Sequence, residues 1–463
     1  MQILVTIALV VIAVLLFELI IGLHEFGHFI TAKLSGIKVN EFALGMGPKL
    51  FSFKKGETQY SLRLFPIGGY CAMEGEDEDS PEPRSFNNAK VWKRMIVIIA
   101  GAVMNIILGI IFSFIMVIPQ EAYTSTTVEQ FDPRSYSANC GLQIGDKIVK
   151  VNGYDIYNSK DLSFSFAGVN CENVDGKSVS VYKQDCANAI CTEYSKIATD
   201  KKPDDDTLLK LYNITTDGCT AVNNSADKTE AKKVMDDTVK KLYDTIGVTD
   251  YTLPTITEKD TRQRYTATVT VIRDGKEVEL NDVQFFTYYK NEEDKEADKP
   301  SVSLDFYVEP IDKTFTSVIK QGFSEALSVG RMVWQSVVWI AQGRFGFKDM
   351  SGPVGIASAV TQVASQGLET NFGSAVFNIL NVMTLITINL GIFNMLPFPA
   401  LDGGRFLLLL IEWIFRKPIP RKVEKYINAA GFIILMGFMV VVTCKDIWQL
   451  SLIHISEPTR PRL

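Results

Sequence analysis

Two histidines four residues apart, with a glutamate beside the first, are the residues of this chain best suited to chemistry: His24, Glu25 and His28 in LHEFGHF, residues 23–29. On a helix, residues i and i+4 share a face about 5–6 Å apart at Cβ. His24 and His28 can therefore hold one metal ion, with Glu25 at the adjoining position. His-Glu-x-x-His on a helix is the pattern in which two imidazoles ligate zinc and the glutamate serves as general base. Neutral imidazole suits a borderline-soft divalent ion. The same spacing also arises by chance or at a membrane interface. Location weights it toward catalysis: it follows the apolar run 3–23, whose one charged residue is Glu18. Ionisable groups at membrane depth are costly and mark function.

A catalytic zinc takes three protein ligands and keeps one position for water. The chain holds three histidines, and the third, His454, falls in LSLIHISEPTR (450–460). That stretch reads as translated sequencing adapter, so residues 450–463 are set aside as a scar. The third ligand is then a carboxylate or a cysteine. Asp402 in NMLPFPALDGGR (394–405) is the candidate. Pro397 and Pro399 interrupt the apolar helix before it. Gly403 and Gly404 after it permit close backbone approach. Broken backbone at membrane depth is tolerated only where protein buries it or it lines a cavity. The competing reading makes Asp402 the cap of the next helix. Paired with HEFGH, the ligand reading is preferred.

The elements that must position these groups are membrane helices. Apolar runs at 3–23, 95–118 and 376–396, and a shorter one at 427–443, predict four transmembrane helices. The first is too long, and too poor in preceding basic residues, for a cleaved signal peptide. Lys33, Lys38, Lys49, Lys54, Lys55, Lys90, Lys93 and Arg94 lie between the first two helices, and Arg416, Lys417, Arg421 and Lys422 between the last two. Both segments are therefore expected on the cytoplasmic side. Residues 119–375 and both termini are then outside. The net charge of −6 adds little, and nothing points to nucleic acid.

HEFGH together with N-x-x-P-x-P-x-L-D-G resembles the site-2 protease family, most closely its bacterial regulator-of-sigma-E-type branch. These are intramembrane zinc metalloproteases with a PDZ domain. The stretch 42–76 resembles the family's membrane-associated β segment, 85–105 its entry to helix 2, and SGPVGIA (351–357) a motif before helix 3. Ala102 departs from the family, which commonly has Pro there. The resemblance covers most of the chain. It implies a polytopic α-helical membrane protein with a β segment and an extracytoplasmic PDZ-like β domain, in a bacterial cytoplasmic membrane. The expected division is 1–119 with β segment 42–76; 127–310 as the PDZ-like domain with an insertion at about 170–262; 311–375 as interfacial helix and connector; and 376–449 as helices 3 and 4.

The stretch 136–156 has the look of a bacterial PDZ domain. It reads as a Gly-bounded turn, a strand through Ile148, Val149 and Val151, and an Asn-Gly hairpin. Residues 265–280 alternate around Asp274-Gly275, a second hairpin signal. Such a domain binds extended peptide by strand addition, or serves as a lid or filter; both readings stand. The insertion is polar and fits no family pattern. Its Cys171, Cys186, Cys191 and Cys219 allow two disulfides in three pairings, or remain free. A C-x₄-C metal site at 186–191 lacks partners. Residues 315–341 are amphipathic, with Trp334 and Trp339, and are read as a helix on the membrane–water interface or in the core of the outer domain.

The expected chemistry is peptide hydrolysis at Zn2+ held by His24, His28 and Asp402, with Glu25 moving the proton. The substrates are single-span membrane proteins, and the resemblance implies trimmed anti-sigma factors or signal peptide remnants. A helical substrate must be drawn out to be cut. The strand-like stretch 58–73, with Gly68-Gly69 as its tip, is expected to do this by strand addition. Asn394 is a substrate-binding candidate through its motif position in the family; Asn105 is a weaker one. Glu18, two turns before Glu25 on nearly the same face, either extends a polar path or faces another helix as a neutral acid. Membrane lipid is the remaining partner, and nothing in the chain speaks to oligomeric state. A scaffold fits poorly with intact ligand motifs. A transporter would show repeats, and none is visible.

Overall fold

A computed structural model describes residues 2–76, 80–132, 135–166, 172–173, 179–256, 263–288, 301–343 and 350–456. The chain divides into two compact units, Met1–Glu121 with Thr314–Leu463, and Ala122–Lys313.

In the first unit, α1 (Gln2–Leu34) runs past the second histidine, so HEFGH lies inside the helix and not at its end. Lys33 in the last turn complements the helix dipole, and Gly36 (φ +79°) turns the chain out. Two long bent strands follow, β1 (Val39–Lys55) and β2 (Thr58–Met73). Each contributes two segments. Residues 58–63 lie between 39–44 and 49–55, while 69–73 pairs with the other side of 39–44 and forms an edge. The hairpin tip is at Gly56 (φ +64°). Gly68-Gly69 is therefore not the tip, contrary to expectation: Gly68 (φ +94°) sits where β2 bends back, and Gly69 pairs with Leu44. Reading 58–73 as one strand-like stretch missed the fold-back. The sheet leaves Leu50, Phe51, Phe53, Leu62, Leu64 and Phe65 exposed. A surface this apolar suits lipid better than water.

The next helix, α2 (Val91–Val117), approaches α1 closely. A Cβ on Gly27 would lie 2.4 Å from the Ala100 carbonyl oxygen, so glycine permits this crossing.

The second unit holds β3 (Ala122–Phe131), β4 (Lys147–Val151), β5 (Tyr154–Asp155), α3 (Ser159–Ser165), β6 (Glu172–Asn173), α4 (Val179–Lys201), α5 (Asp205–Asn224), α6 (Lys228–Thr245), β7 (Gln263–Arg273), β8 (Lys276–Tyr288), β9 (Ser301–Ser303) and β10 (Phe306–Asp312). The sheet order is β10-β3-β4-β7-β8-β9, with β5 on β4 and β6 on β7. Both predicted hairpins form: Val151 faces Tyr154 across Asn152-Gly153, and Arg273 faces Lys276 across Asp274-Gly275. All four turn residues have positive φ, as a two-residue hairpin turn requires. The sheet core gathers Val128, Leu142, Ile148, Val151, Val269, Val271 and Phe285. The insertion is helical. α4, α5 and α6 enclose their own core, including Cys186, Ile190, Leu211, Cys219, Met235 and Val239. Asp204 and Asp227 cap α5 and α6. Cys171 lies outside the described residues.

The chain then returns to the first unit through α7 (Phe315–Ala341), α8 (Pro353–Thr370), α9 (Phe372–Asn394), α10 (Asp402–Phe415) and α11 (Arg421–Ser456). Thr314 and Ser317 form a reciprocal cap that starts α7. This helix packs on α2 and α9: Ala326 and Val329 meet Ile388, and Gly322 abuts the Phe114 ring. It is thus not a core helix of the β domain. Gly109 of α2 admits Ile388 of α9, where a Cβ would come within 2.3 Å. Among the described residues, four helical stretches are long and apolar enough to cross a membrane: Val11–Leu34, Val91–Val117, Phe372–Asn394 and Lys422–Trp448. A helix starting at Asp402 belonged only to the competing reading of that residue, and α10 is that helix. The stretch 450–456 continues α11, and 457–463 lie outside the described residues.

Candidate metal centre

Three of the expected residues converge. His24 Nε2 and His28 Nε2 lie 3.2 and 3.4 Å from the same oxygen, Oδ2 of Asp402. The two Nε2 atoms are 3.2 Å apart. Both imidazoles are buried, and among the described residues this is the one cluster able to hold a metal ion. Asp402 Oδ2 is buried without a hydrogen-bond donor among the described residues. Two imidazoles and a carboxylate aimed at one point, with the carboxylate unsatisfied, call for a cation. The donor set is that of a catalytic zinc site, so the residues fit the metal.

Each ligand is held by its element. His28 Nδ1 is 2.8 Å from the carbonyl oxygen of Val97 on α2. A carbonyl only accepts, so Nδ1 carries the hydrogen and Nε2 keeps its lone pair. His24 Nδ1 lies 3.2 Å from the side-chain amide of Asn105, which is fully buried on α2. Gly101 lies between these contacts: a Cβ there would be 2.4 Å from His28 Nε2 and 2.7 Å from His24 Cε1.

Asp402 arrives by the break after α9. The turn folds tightly, with Phe398 N donating to Leu396 O at 2.7 Å and Leu401 N to Phe398 O at 3.2 Å. Ala400 adopts φ +74°, a conformation unfavourable for a residue with a Cβ. Gly403 and Gly404 start α10 against this turn; a Cβ on either would meet backbone at 2.3 Å. Asp402 is the first residue of α10, and its carboxylate faces the histidines, so it is not the cap. α10 is tied to α2 by Arg94–Glu412 at 2.6 Å, and Arg405 pairs with Glu76 after β2.

Glu25 is half-buried on the same turn as the histidines. A Cβ on Gly69 would lie 3.4 Å from Glu25 Cγ and 2.9 Å from the Ala43 carbonyl oxygen, so the edge segment 69–73 passes directly beside it. Gly68 lies against Met46. Asn394 Nδ2 is 3.4 Å from His24 Nε2, at the rim of the cluster. Glu18 is not part of the cluster; its carboxylate oxygens are buried.

In the sheet, burial would raise the Glu41 carboxyl, but bonds from Ser61, Tyr70, Arg63 and Lys49 outweigh it and hold the pKa at about 2. Sequence reasoning missed Val97 and Gly101 and did not bring Asn105, named as a weaker substrate-binding candidate, to His24. A glycine and an asparagine four apart in an otherwise apolar helix were the available signal.

The model of peptidase family M50 matches residues 12–438. Zinc metalloprotease RasP of Bacillus licheniformis is 30% identical over 452 residues, covering 95% of this chain and 98% of the relative. Regulator of sigma-W protease RasP of Bacillus subtilis is 28% identical over 456 residues, covering 95% and 98%.

Proposed function

The chain belongs to peptidase family M50, the site-2 proteases, and is a zinc metalloprotease; from that premise we propose that it hydrolyses a peptide bond inside the membrane span of membrane-anchored substrates. The observation that carries this reading is the meeting of His24, His28 and Asp402 on helices of the membrane unit, with Glu25 beside them. A protease for soluble peptides would build the same site in a water-soluble domain.

When bound, zinc supplies Lewis-acid polarisation of water and of the scissile carbonyl. His24, His28 and Asp402 hold it. Glu25 takes the proton from the attacking water and returns it to the leaving amine. The substrate must be extended at the cut, because helical peptide groups are engaged in their own hydrogen bonds. The open edge 69–73 beside Glu25 offers strand addition, with Gly68 and Gly69 letting substrate backbone approach. Asn394 donates from the rim to that backbone.

Lys and Arg bias supports a cytoplasmic α1–α2 segment and an extracytoplasmic Ala122–Lys313 unit. That unit is a PDZ-like domain acting as a size filter on untrimmed substrates. The likeness to a protein named regulator of sigma-W protease supports membrane-anchored anti-sigma factors as one substrate class, in a bacterial cytoplasmic membrane. α7 presents Phe315, Ile319, Phe323 and Leu327 on one exposed face, as a helix in contact with lipid would.

Metal analysis of purified variants tests the site. Asp402→Ala should lose zinc and activity, whereas Asn394→Ala should keep zinc and lose activity. Equal zinc in Asp402→Ala and wild type would place the third ligand elsewhere. Deleting 127–310 tests the filter: untrimmed substrate should then be cut. Loss of cleavage of trimmed substrate in a variant that still binds zinc would make the domain a recogniser.

A further inference from the structure

His24 meets a side-chain amide at each ring nitrogen. Asn105 Nδ2 is 3.2 Å from Nδ1, and Asn394 Nδ2 is 3.4 Å from Nε2. A neutral imidazole has one lone pair and one N–H, so it cannot accept from both amides. The oxygen of Asn105 is meanwhile buried without a partner, on a residue with no exposed surface. The oxygen and nitrogen of an amide are nearly alike in shape, and hydrogen-bond logic decides between them. Turned over, Asn105 presents Oδ1 to the His24 ring. The orphaned oxygen then accepts the Nδ1 hydrogen. His24 Nε2 keeps its lone pair, facing His28 Nε2 and Asp402 Oδ2, and the Asn394 amide is left to donate elsewhere. His28 reaches the same tautomer independently through the Val97 carbonyl.

We propose that Asn105 is a positioning residue for the metal ligand: its side-chain oxygen accepts the Nδ1 hydrogen of His24 and holds that ring in the tautomer and orientation that present Nε2 to zinc. This rests on the assignment of His24, His28 and Asp402 as ligands. Asn105 touches neither metal nor substrate. Its setting is rigid, because the Thr387 hydroxyl of α9 donates to the Asn105 backbone oxygen at 3.1 Å. A ligand imidazole commonly gives its second N–H to such an acceptor, and losing the acceptor costs roughly 10–100-fold in metal affinity.

The test compares Asn105→Leu and Asn105→Asp in the full chain in detergent. Zinc affinity is measured by chelator competition, and the histidine tautomers by 15N NMR of histidine-labelled protein; three histidines keep that spectrum simple. Asn105→Leu should bind zinc roughly 10–100-fold more weakly. Asn105→Asp keeps an acceptor and lacks the donor. It should stay within a few-fold of wild type and show His24 with hydrogen on Nδ1. Equal loss in both variants, or no loss in either, overturns the proposal, since a packing role does not distinguish acceptor from donor. Should Asn105→Leu fail to fold, Asn105→Asp decides alone, and a tenfold or greater loss there overturns it. Undiminished zinc in Asp402→Ala is a separate result that removes the ligand assignment itself.

Discussion

Arg94 of α2 and Glu412 of α10 form an ion pair at 2.6 Å, with side chains only 9% and 18% exposed. It fastens the helix that begins with Asp402 to the helix that supports both histidines. Removing one partner leaves a charge stranded in a place it cannot be solvated. Glu412→Ala should therefore destabilise the membrane unit by about 3 kcal/mol and reduce zinc occupancy. Replacing the pair by Arg94→Met with Glu412→Leu should restore most of the stability. Thermal unfolding in detergent measures both, and a Glu412→Ala protein as stable as wild type would show the pair to be incidental.

Gly101 leaves the space that the imidazoles occupy. Gly101→Ala places a methyl group 2.4 Å from His28 Nε2, and Gly27 of α1 packs on the carbonyl of the adjoining Ala100, which leaves little room for α2 to move away. Zinc affinity should drop by roughly tenfold or more with helix content unchanged by circular dichroism. Wild-type affinity in that variant would mean the site tolerates a wider separation of α1 and α2.

The β1–β2 sheet should loosen in acid. Burial works to raise the Glu41 carboxyl, but the Ser61, Tyr70, Arg63 and Lys49 bonds bring it down to about 2, below its ordinary 4.5. A depressed carboxylate adds stability above its unfolded value and loses it as pH falls toward the folded one. Amide exchange in residues 39–73 should speed up between pH 5 and pH 2 beyond the intrinsic trend, the window set by these two values. Glu41→Gln should flatten that change; an identical pH profile in the variant would assign it to another group.

Within the helical insertion, Cys191 Sγ and Cys219 Sγ are 3.8 Å apart, on α4 and α5. Cys171 lies outside the described residues. Mild oxidation should yield a Cys191–Cys219 linkage in peptide maps and stabilise the three-helix bundle by about 3 kcal/mol. Absence of a Cys191–Cys219 linkage after oxidation would contradict this expectation.

The candidate ligands were legible because their chemistry is expensive in an apolar context. His24 and His28 declared a shared helix face by spacing, and Asp402 stood out between helix breakers. The hairpins at Asn152-Gly153 and Asp274-Gly275 were legible because two-residue turns demand these residues. What stayed hidden is tertiary. The fold-back that makes 69–73 an edge depends on each strand pairing twice, which alternation cannot reveal. α10 was absorbed into the loop reading because its apolar stretch is too short to span a membrane. Asn105 was set down as a weak substrate contact because only the crossing of α1 and α2 brings it to His24. The insertion's helices were obscured by polar composition, since their buried positions are spaced among many charges.

The most direct measurement is the cut itself. A tagged single-span substrate is co-expressed with wild type or with Glu25→Gln, and the product ends are mapped by mass spectrometry. Wild type should cut within the apolar span. Glu25→Gln should retain zinc, since His24, His28 and Asp402 are untouched, and lose nearly all cleavage because proton transfer fails. Near-normal cleavage by zinc-loaded Glu25→Gln, or product ends lying only outside the span, would contradict the account.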